Sequence, residues 1–207
     1  MSMHTAPAPR IPLPGPEALD PAQRRVFDSV VNGRRGTLVG PLRAALHNPE
    51  LAERWHRFGE ILRYETVLPP ALNELAILIT ARRWNSELEW TIHARAARQG
   101  GLPEPVIEAI REGQAPEFSD PAAAEVYDYV QALQTCGQVS DAVHAAVTAR
   151  WGVVGVVELT AVTGYYSMVA MTLNAHRIPL PEAETPELYP GGEMPPNVLS
   201  PVPARQG

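Results

Sequence analysis

The chain has 207 residues, 45% of them apolar, and a formal net charge of -6 with acidic and basic residues interspersed. That length suffices for one domain with a sizeable core. The lack of a basic block argues against nucleic acid or an anionic membrane as partner. No uninterrupted apolar run reaches the roughly 18 residues a membrane span needs, and the start of the sequence lacks a charged segment followed by an apolar core. The expectation is therefore a cytoplasmic protein without signal peptide or membrane span.

In chain order, residues 1–20 read as a proline-rich arm, with Pro7, Pro9, Pro12, Pro14 and Pro16, a composition that favours extended rather than helical backbone. Asp20 followed by Pro21 is a cap and first-turn signature, predicting a helix over 22–31. Gly33, Gly36 and Gly40 mark a loop, and 41–46 a short turn or helix. Asn48-Pro49 opens a helix over 49–62, with Leu51, Trp55, Phe58 and Leu62 at helical spacing. The segment 71–84 is apolar around much of its circumference, so it is predicted to be central and buried. After Asn85, a helix runs from Ser86 to 99 and stops at Gly100-Gly101. Short and long helices follow over 103–111, 121–135 (capped by Asp120-Pro121), 142–151 and 153–174. Residues 178–207 hold eight prolines and read as a second arm, disordered or laid across a neighbouring subunit. No segment alternates as a strand does, so the fold class is all-α, a single helical domain over 21–177 between two proline-rich arms.

The single cysteine, Cys136, excludes an internal disulfide and a CxxC redox pair, and is read as a small buried or partly buried residue at a helix end. The stretch that carries chemistry is Glu74 to Leu102, ELAILITARRWNSELEWTIHARAARQGGL, within the motif region 70–112. Glu89 and His93 stand four apart on one helix, Ser86 one turn earlier on the same face, and Glu74 on the preceding apolar helix. Two readings fit. A sheltered carboxylate has its pKa raised, a histidine beside it gains a partner for its charged form, and the pair moves protons near neutral pH. Alternatively, Ser86-x-x-Glu89 is a capping box, Glu89–His93 an exposed helix pair, and Glu74 a partner of Arg82 or Arg83. With no second histidine at close metal spacing, no metal is expected.

The same stretch resembles the carboxymuconolactone decarboxylase and alkyl hydroperoxidase D family. Its peroxidase members carry Glu, eleven residues, Cys, two residues, Cys, three residues, His and a later Gly. Here that register gives Glu74, Ser86, Glu89, His93 and Gly100-Gly101. Both cysteines are replaced, which removes thiol peroxidase chemistry from this motif. The resemblance implies an alkyl hydroperoxidase D-like helical bundle that assembles as a trimer or hexamer. Its decarboxylase branch implies a cofactor-independent decarboxylase or isomerase acting on a small carboxylated lactone or related aromatic breakdown product. On that reading His93 is the general acid/base, Glu74 orients it, and Glu89 touches substrate or a catalytic water. Ser86 contacts substrate, Arg82, Arg83 or Arg63 holds its carboxylate, and Trp90, Tyr165, Tyr166 and His56 line the pocket. The alternatives are a non-catalytic binding or assembly protein of the same fold, and a peroxidase-like protein without the redox pair.

Overall fold

The structure, a computed structural model, describes residues 8–38, 40–191, 196 and 198–205. The first seven residues of the N-terminal arm and residues 192–195, 197 and 206–207 of the tail lie outside the described residues. Eight α-helices follow in order: α1 (Pro21–Val31), α2 (Pro41–Ala45), α3 (Pro49–Tyr64), α4 (Pro70–Arg83), α5 (Glu87–Gly100), α6 (Glu104–Arg111), α7 (Pro121–Cys136) and α8 (Asp141–His176). No strand occurs among the described residues. The fold is an all-α bundle, as the periodicity predicts.

Proline and short polar residues set the helix starts. Asp20 accepts from the N–H groups of Ala22 and Gln23, and the Gln23 side chain bonds back to Asp20, closing a capping box. Asn48 caps α3 by accepting from the Leu51 N–H and Asp120 caps α7 by accepting from the Ala122 N–H, each just before a proline. The helices predicted over 142–151 and 153–174 are continuous in hydrogen bonding as α8 but break at Gly152, whose φ of 68° and ψ of -174° fall outside helical geometry. Only glycine takes such a conformation without strain.

Helix α4 lies at the centre, packed against α5, α7 and α8. All ten residues from Leu72 to Ala81 are buried, so its polar members must be satisfied inside the protein. They are: Asn73 Nδ2 donates to the Leu62 carbonyl at 3.0 Å, and Thr80 Oγ1 to the Ala76 carbonyl at 2.9 Å.

Helix α8 corrects one expectation. It contains an 18-residue window of mean hydropathy 1.4, apolar and long enough by composition to cross a membrane. Half of that window is buried within the protein, the pattern of a core helix. Its outer side leaves Val153, Val154, Val157, Met168 and Met171 exposed.

The arms pack on the chain's own bundle. Ile11 and Leu13 lie against the core, and Ile178, Leu188 and Val202 are buried in it. The Arg10 N–H donates to the His176 carbonyl, and His47 Nε2 to that of Pro12. One stretch of the N-terminal arm, Pro16–Ala18, forms a turn of 3-10 helix, where the proline content predicts extended backbone; Pro16 occupies the first turn, which needs no N–H. The tail is held at the α4–α5 corner. Glu87 accepts the backbone N–H groups of Glu187, Leu188 and Tyr189 at 2.8–2.9 Å. Farther on, the Gln131 side chain donates to the Val202 carbonyl, the Tyr127 hydroxyl donates to the Pro203 carbonyl, and Arg205 pairs with Asp128.

Candidate functional site

The α4–α5 corner aims the motif inward. Asn85 sits between the helices at φ 51°, a left-handed conformation that asparagine tolerates better than most residues. Its side chain is locked: Oδ1 accepts from Arg82 and the Tyr189 hydroxyl, and Nδ2 donates to the Val198 carbonyl. This turn sends Ser86 and the first turn of α5 into the core. Ser86 stands at the N-cap position of α5, but its hydroxyl makes no cap hydrogen bond. The capping-box reading of Ser86 and Glu89 is therefore incorrect.

Glu74, Glu89 and His93 are all buried, at 7%, 1% and 5% exposure. His93 Nδ1 lies 2.6 Å from Glu74 Oε2, joining α5 to α4. The reading of Glu89–His93 as an exposed surface pair fails on burial, and Glu74 takes His93 rather than an arginine as partner. Burial holds the His93 imidazole below its ordinary pKa; Glu74 opposes this, while the charges of Arg63 and Arg35 add to it. The expected upward shift is thus reversed, because desolvation outweighs the single carboxylate.

Glu89 is the anomaly. Neither carboxyl oxygen has a hydrogen-bond partner, and the buried hydroxyl of Ser86 and indole N–H of Trp90 have none either. Burial raises the Glu89 pKa well above the usual carboxylate range, with the Ser86 hydroxyl weakly opposing. An unpaired ionised carboxylate in such a place costs many kcal/mol, so the group takes up a proton instead. Burial thus pushes both Glu89 and His93, one turn apart on α5, toward their uncharged forms.

The aromatic wall comes from α8 and α3. The Tyr166 ring stands edge-on to His93 at 4.9 Å and to Tyr165 at 5.1 Å, and Tyr165 in turn meets Phe58 at 5.5 Å and Trp55 at 6.5 Å. Burial raises the pKa of both tyrosines. His56 is buried on α3, with its Nδ1 unpartnered and its pKa lowered by burial. Gly59, midway along α3, leaves the space that Tyr165 Oη and Arg35 Nη2 occupy.

Arginine placement departs most from expectation. Arg82 donates to the Arg111 carbonyl at 2.8 Å, to Asn85 at 2.6 Å and to Ser200. Arg83 donates to the Ser200 carbonyl at 2.6 Å. Both bind the tail and are corrected from substrate ligands to structural residues. Arg63 remains beside the site, stacked 5.3 Å from Tyr64 and felt electrostatically by His93 and Tyr166. Arg35, from the glycine-bearing loop after α1, was given no role by sequence reasoning, yet its charge reaches His56, His93, Tyr165 and Tyr166. Its only sequence signal is a basic residue among glycines, which surface loops also show. Cys136 is exposed at the end of α7, not buried as read from the sequence. Among the described residues, no three His, Cys, Asp or Glu side chains gather as a metal-binding group.

Residues 49–132 match the model of the carboxymuconolactone decarboxylase family. Over this stretch the chain is similar to that family. The match spans α3 to most of α7, and so covers Glu74, Ser86, Glu89 and His93 but not the tyrosines of α8. None of the curated proteins compared with the chain matches it. Similar solved structures extend the likeness to most of the molecule. An uncharacterized peroxidase-related protein from Silicibacter sp. TM1040 aligns with a TM-score of 0.69 at 17% identity, over 86% of this chain and 96% of that one. An alkylhydroperoxidase AhpD core protein from Ralstonia eutropha JMP134, also peroxidase-related, gives 0.69 at 14% identity, over 86% and 95%. The debrominase Bmp8, solved with 2,3,4-tribromopyrrole, gives 0.62 at 15% identity, over 79% and 87%. These likenesses establish an AhpD-like fold for this chain. At such identities they do not carry an activity across.

Proposed function

We propose that this protein is a cofactor-independent enzyme of proton transfer, a decarboxylase or isomerase acting on a carboxylated lactone or related aromatic breakdown product. The observation that carries the reading is Glu89: a carboxyl group at 1% exposure with no partner on either oxygen, one turn from a histidine bonded to a second carboxylate. A fold gains nothing in stability from such a group, and buried unpaired acids gather at catalytic sites. The family's name supports a lyase, and the replacement of the motif's cysteines by Ser86 and Glu89 removes the thiol chemistry of the peroxidase pattern.

In decarboxylation, the bond between carbon and the departing carboxylate breaks and carbon dioxide leaves. The electron pair passes into a conjugated carbonyl of the substrate as an enolate. Glu89 then donates its proton to carbon and is reprotonated from solvent after product release. In isomerisation, the free Nε2 lone pair of His93 removes a proton beside a carbonyl, and Glu89 returns one at another carbon. Glu74 accepts from Nδ1–H and fixes the tautomer that presents that lone pair. The burial of all three groups keeps water from competing for the enolate.

Incubated in D2O with carboxymuconolactone and a panel of related lactone acids, the protein should release carbon dioxide, or shift a double bond, and place one deuterium on carbon per turnover. Folded protein that gives neither product nor exchange with any of these acids would overturn the reading in favour of a non-catalytic binding protein. We also propose self-association into a trimer or hexamer, supported by the exposed apolar side of α8. A monomer by light scattering at micromolar concentration would refute it.

A further inference from the structure

Arg35 is unlike the other arginines near the bundle core. Its Nε and Nη2 are buried without a hydrogen bond of good geometry, and the near acceptor is the neutral Tyr165 hydroxyl rather than a carboxylate. Its neighbour Arg34 reaches outward to Glu65 and stacks on Tyr64. Arginines elsewhere on the surface pair with glutamates, as Arg57 with Glu53 and Arg150 with Glu125. A guanidinium keeps its charge under all ordinary conditions. Burying two of its nitrogens without an anionic acceptor is therefore costly, and the protein's own carboxyls do not relieve it. Among the described residues no carboxylate pairs with it.

The surroundings are built for an anion. Arg35 Nη2 and Tyr165 Oη fill the space over Gly59, where any side chain on α3 would collide with both. Tyr165 packs edge-on to Tyr166, and Tyr166 to His93. The Trp55 indole N–H is likewise buried without a hydrogen bond of good geometry, with the Tyr165 hydroxyl as its near acceptor. One end of this aromatic wall thus carries a planar cation and an N–H donor that share the Tyr165 hydroxyl as their near acceptor and have no anion between them. The other end carries the acid and base. On the outer side, the next residues of the same loop, Gly36, Thr37 and Leu38, line a cavity of about 390 Å3 beside Phe27, Val31, Arg43 and Pro179.

We propose that Arg35 is the carboxylate anchor of this centre, binding one carboxylate of a small organic acid through its paired N–H groups while the rest of the molecule lies along Tyr165 toward Glu89 and His93. The anchor rests on the acid–base reading of the same site for its purpose, but its binding is measurable without turnover. It also names the substrate class more closely: the acid must present a carboxylate at a distance from the reacting carbon, so that Arg35 holds one end and the α5 residues act on the other. Planar, bidentate recognition favours carboxylate over a spherical anion. A lysine at 35 would keep the charge and lose the fork.

The test uses glutarate, benzoate and phthalate as probes, with the uncharged glutaramide as control, read by calorimetry and by the shift in Tm at pH 7. At least one acid should bind wild-type protein and raise Tm, while glutaramide should not. Arg35→Gln should weaken that acid at least tenfold, and Arg35→Lys by less. The exposed Arg57→Gln should bind as wild type does. Because Arg35 pairs with no carboxylate among the described residues, Arg35→Gln should leave Tm of the ligand-free protein within about 2 °C of wild type, which separates lost binding from lost folding. Equal binding to Arg35→Gln and wild type, equal binding of glutaramide, or no binding of any acid to wild type would each overturn the anchor. Glu89→Gln and His93→Gln should still bind the acid. If those two abolish turnover while Arg35→Gln binds normally, the anchor fails and the acid–base reading stands. If they leave turnover unchanged while Arg35→Gln loses binding, the reverse holds.

Discussion

Glu89→Gln is expected to lower turnover by about 10²–10⁴-fold, the range ascribed to a positioned general acid, while leaving the fold intact or more stable. The stability effect has a definite sign. The folded-state pKa of Glu89 is raised by burial, so the folded protein holds a proton that the unfolded chain releases from about pH 4.5 upward. The stability associated with this group is fully present below that pH and is lost as pH rises toward the folded-state value, at up to about 1.4 kcal/mol per pH unit. Glutamine has no such proton to lose. The difference in unfolding free energy between Glu89→Gln and wild type should therefore grow in favour of the variant between pH 5 and pH 8, measured by urea denaturation. A difference independent of pH would show that Glu89 titrates as an ordinary surface carboxylate, and the acid would have to be sought elsewhere. Turnover in wild type should fall on the alkaline side as Glu89 ionises. It should fall on the acid side only below the ordinary histidine range, since burial holds His93 low.

Glu74→Gln is expected to cost turnover by a similar order, about 10²–10⁴-fold, through a different route. The 2.6 Å contact between Glu74 and His93 places an acceptor on Nδ1, and a glutamine there can present its NH2 and reverse the tautomer. The variant keeps the shape of the site and disables the lone pair on Nε2. His93→Gln removes the base itself. Because the two residues act as one unit, the double variant should be little worse than His93→Gln alone. Losses that multiply would mean that Glu74 and His93 work independently. The acid limb of stability also follows: His93, with its pKa depressed by burial, contributes stability that is present above the ordinary histidine pKa and lost as pH falls through the folded-state value. His93→Gln should flatten that limb.

Much of the architecture was legible because its signals are local. Asp20-Pro21, Asn48-Pro49 and Asp120-Pro121 each fix a helix start within a turn of chain, and Gly101, at φ 90°, ends α5 where the glycine pair predicts. The register from Glu74 to His93 was legible through family resemblance. Ser86 and Glu89 show where local reasoning stops. The same four-residue pattern serves a capping box on a surface or a buried acid, and only the packing of α5 against α4 and α8 decides which. Arg82 and Arg83 were misread for the same reason: Ser200, more than a hundred residues downstream, claims both. Arg35 was invisible because a loop's course depends on what it packs against, not on its own residue pattern. The sign of the His93 shift needed the depth of burial, which sequence does not carry.

The α4–α5 corner has a consequence for how the two ends of the molecule depend on each other. Glu87, two positions before the buried acid, is saturated by backbone N–H groups of 187–189, and Asn85, one position before Ser86, is tied to Val198 and Tyr189. Cutting the chain after 177 would remove the tail's hydrogen bonds from Asn85, Glu87, Arg82 and Arg83 in one stroke and open the root of α5 to water. A carboxyl that stays protonated only while dry would then find solvent two residues away. The described residues of the tail therefore act at a distance as a stopper on the buried acid.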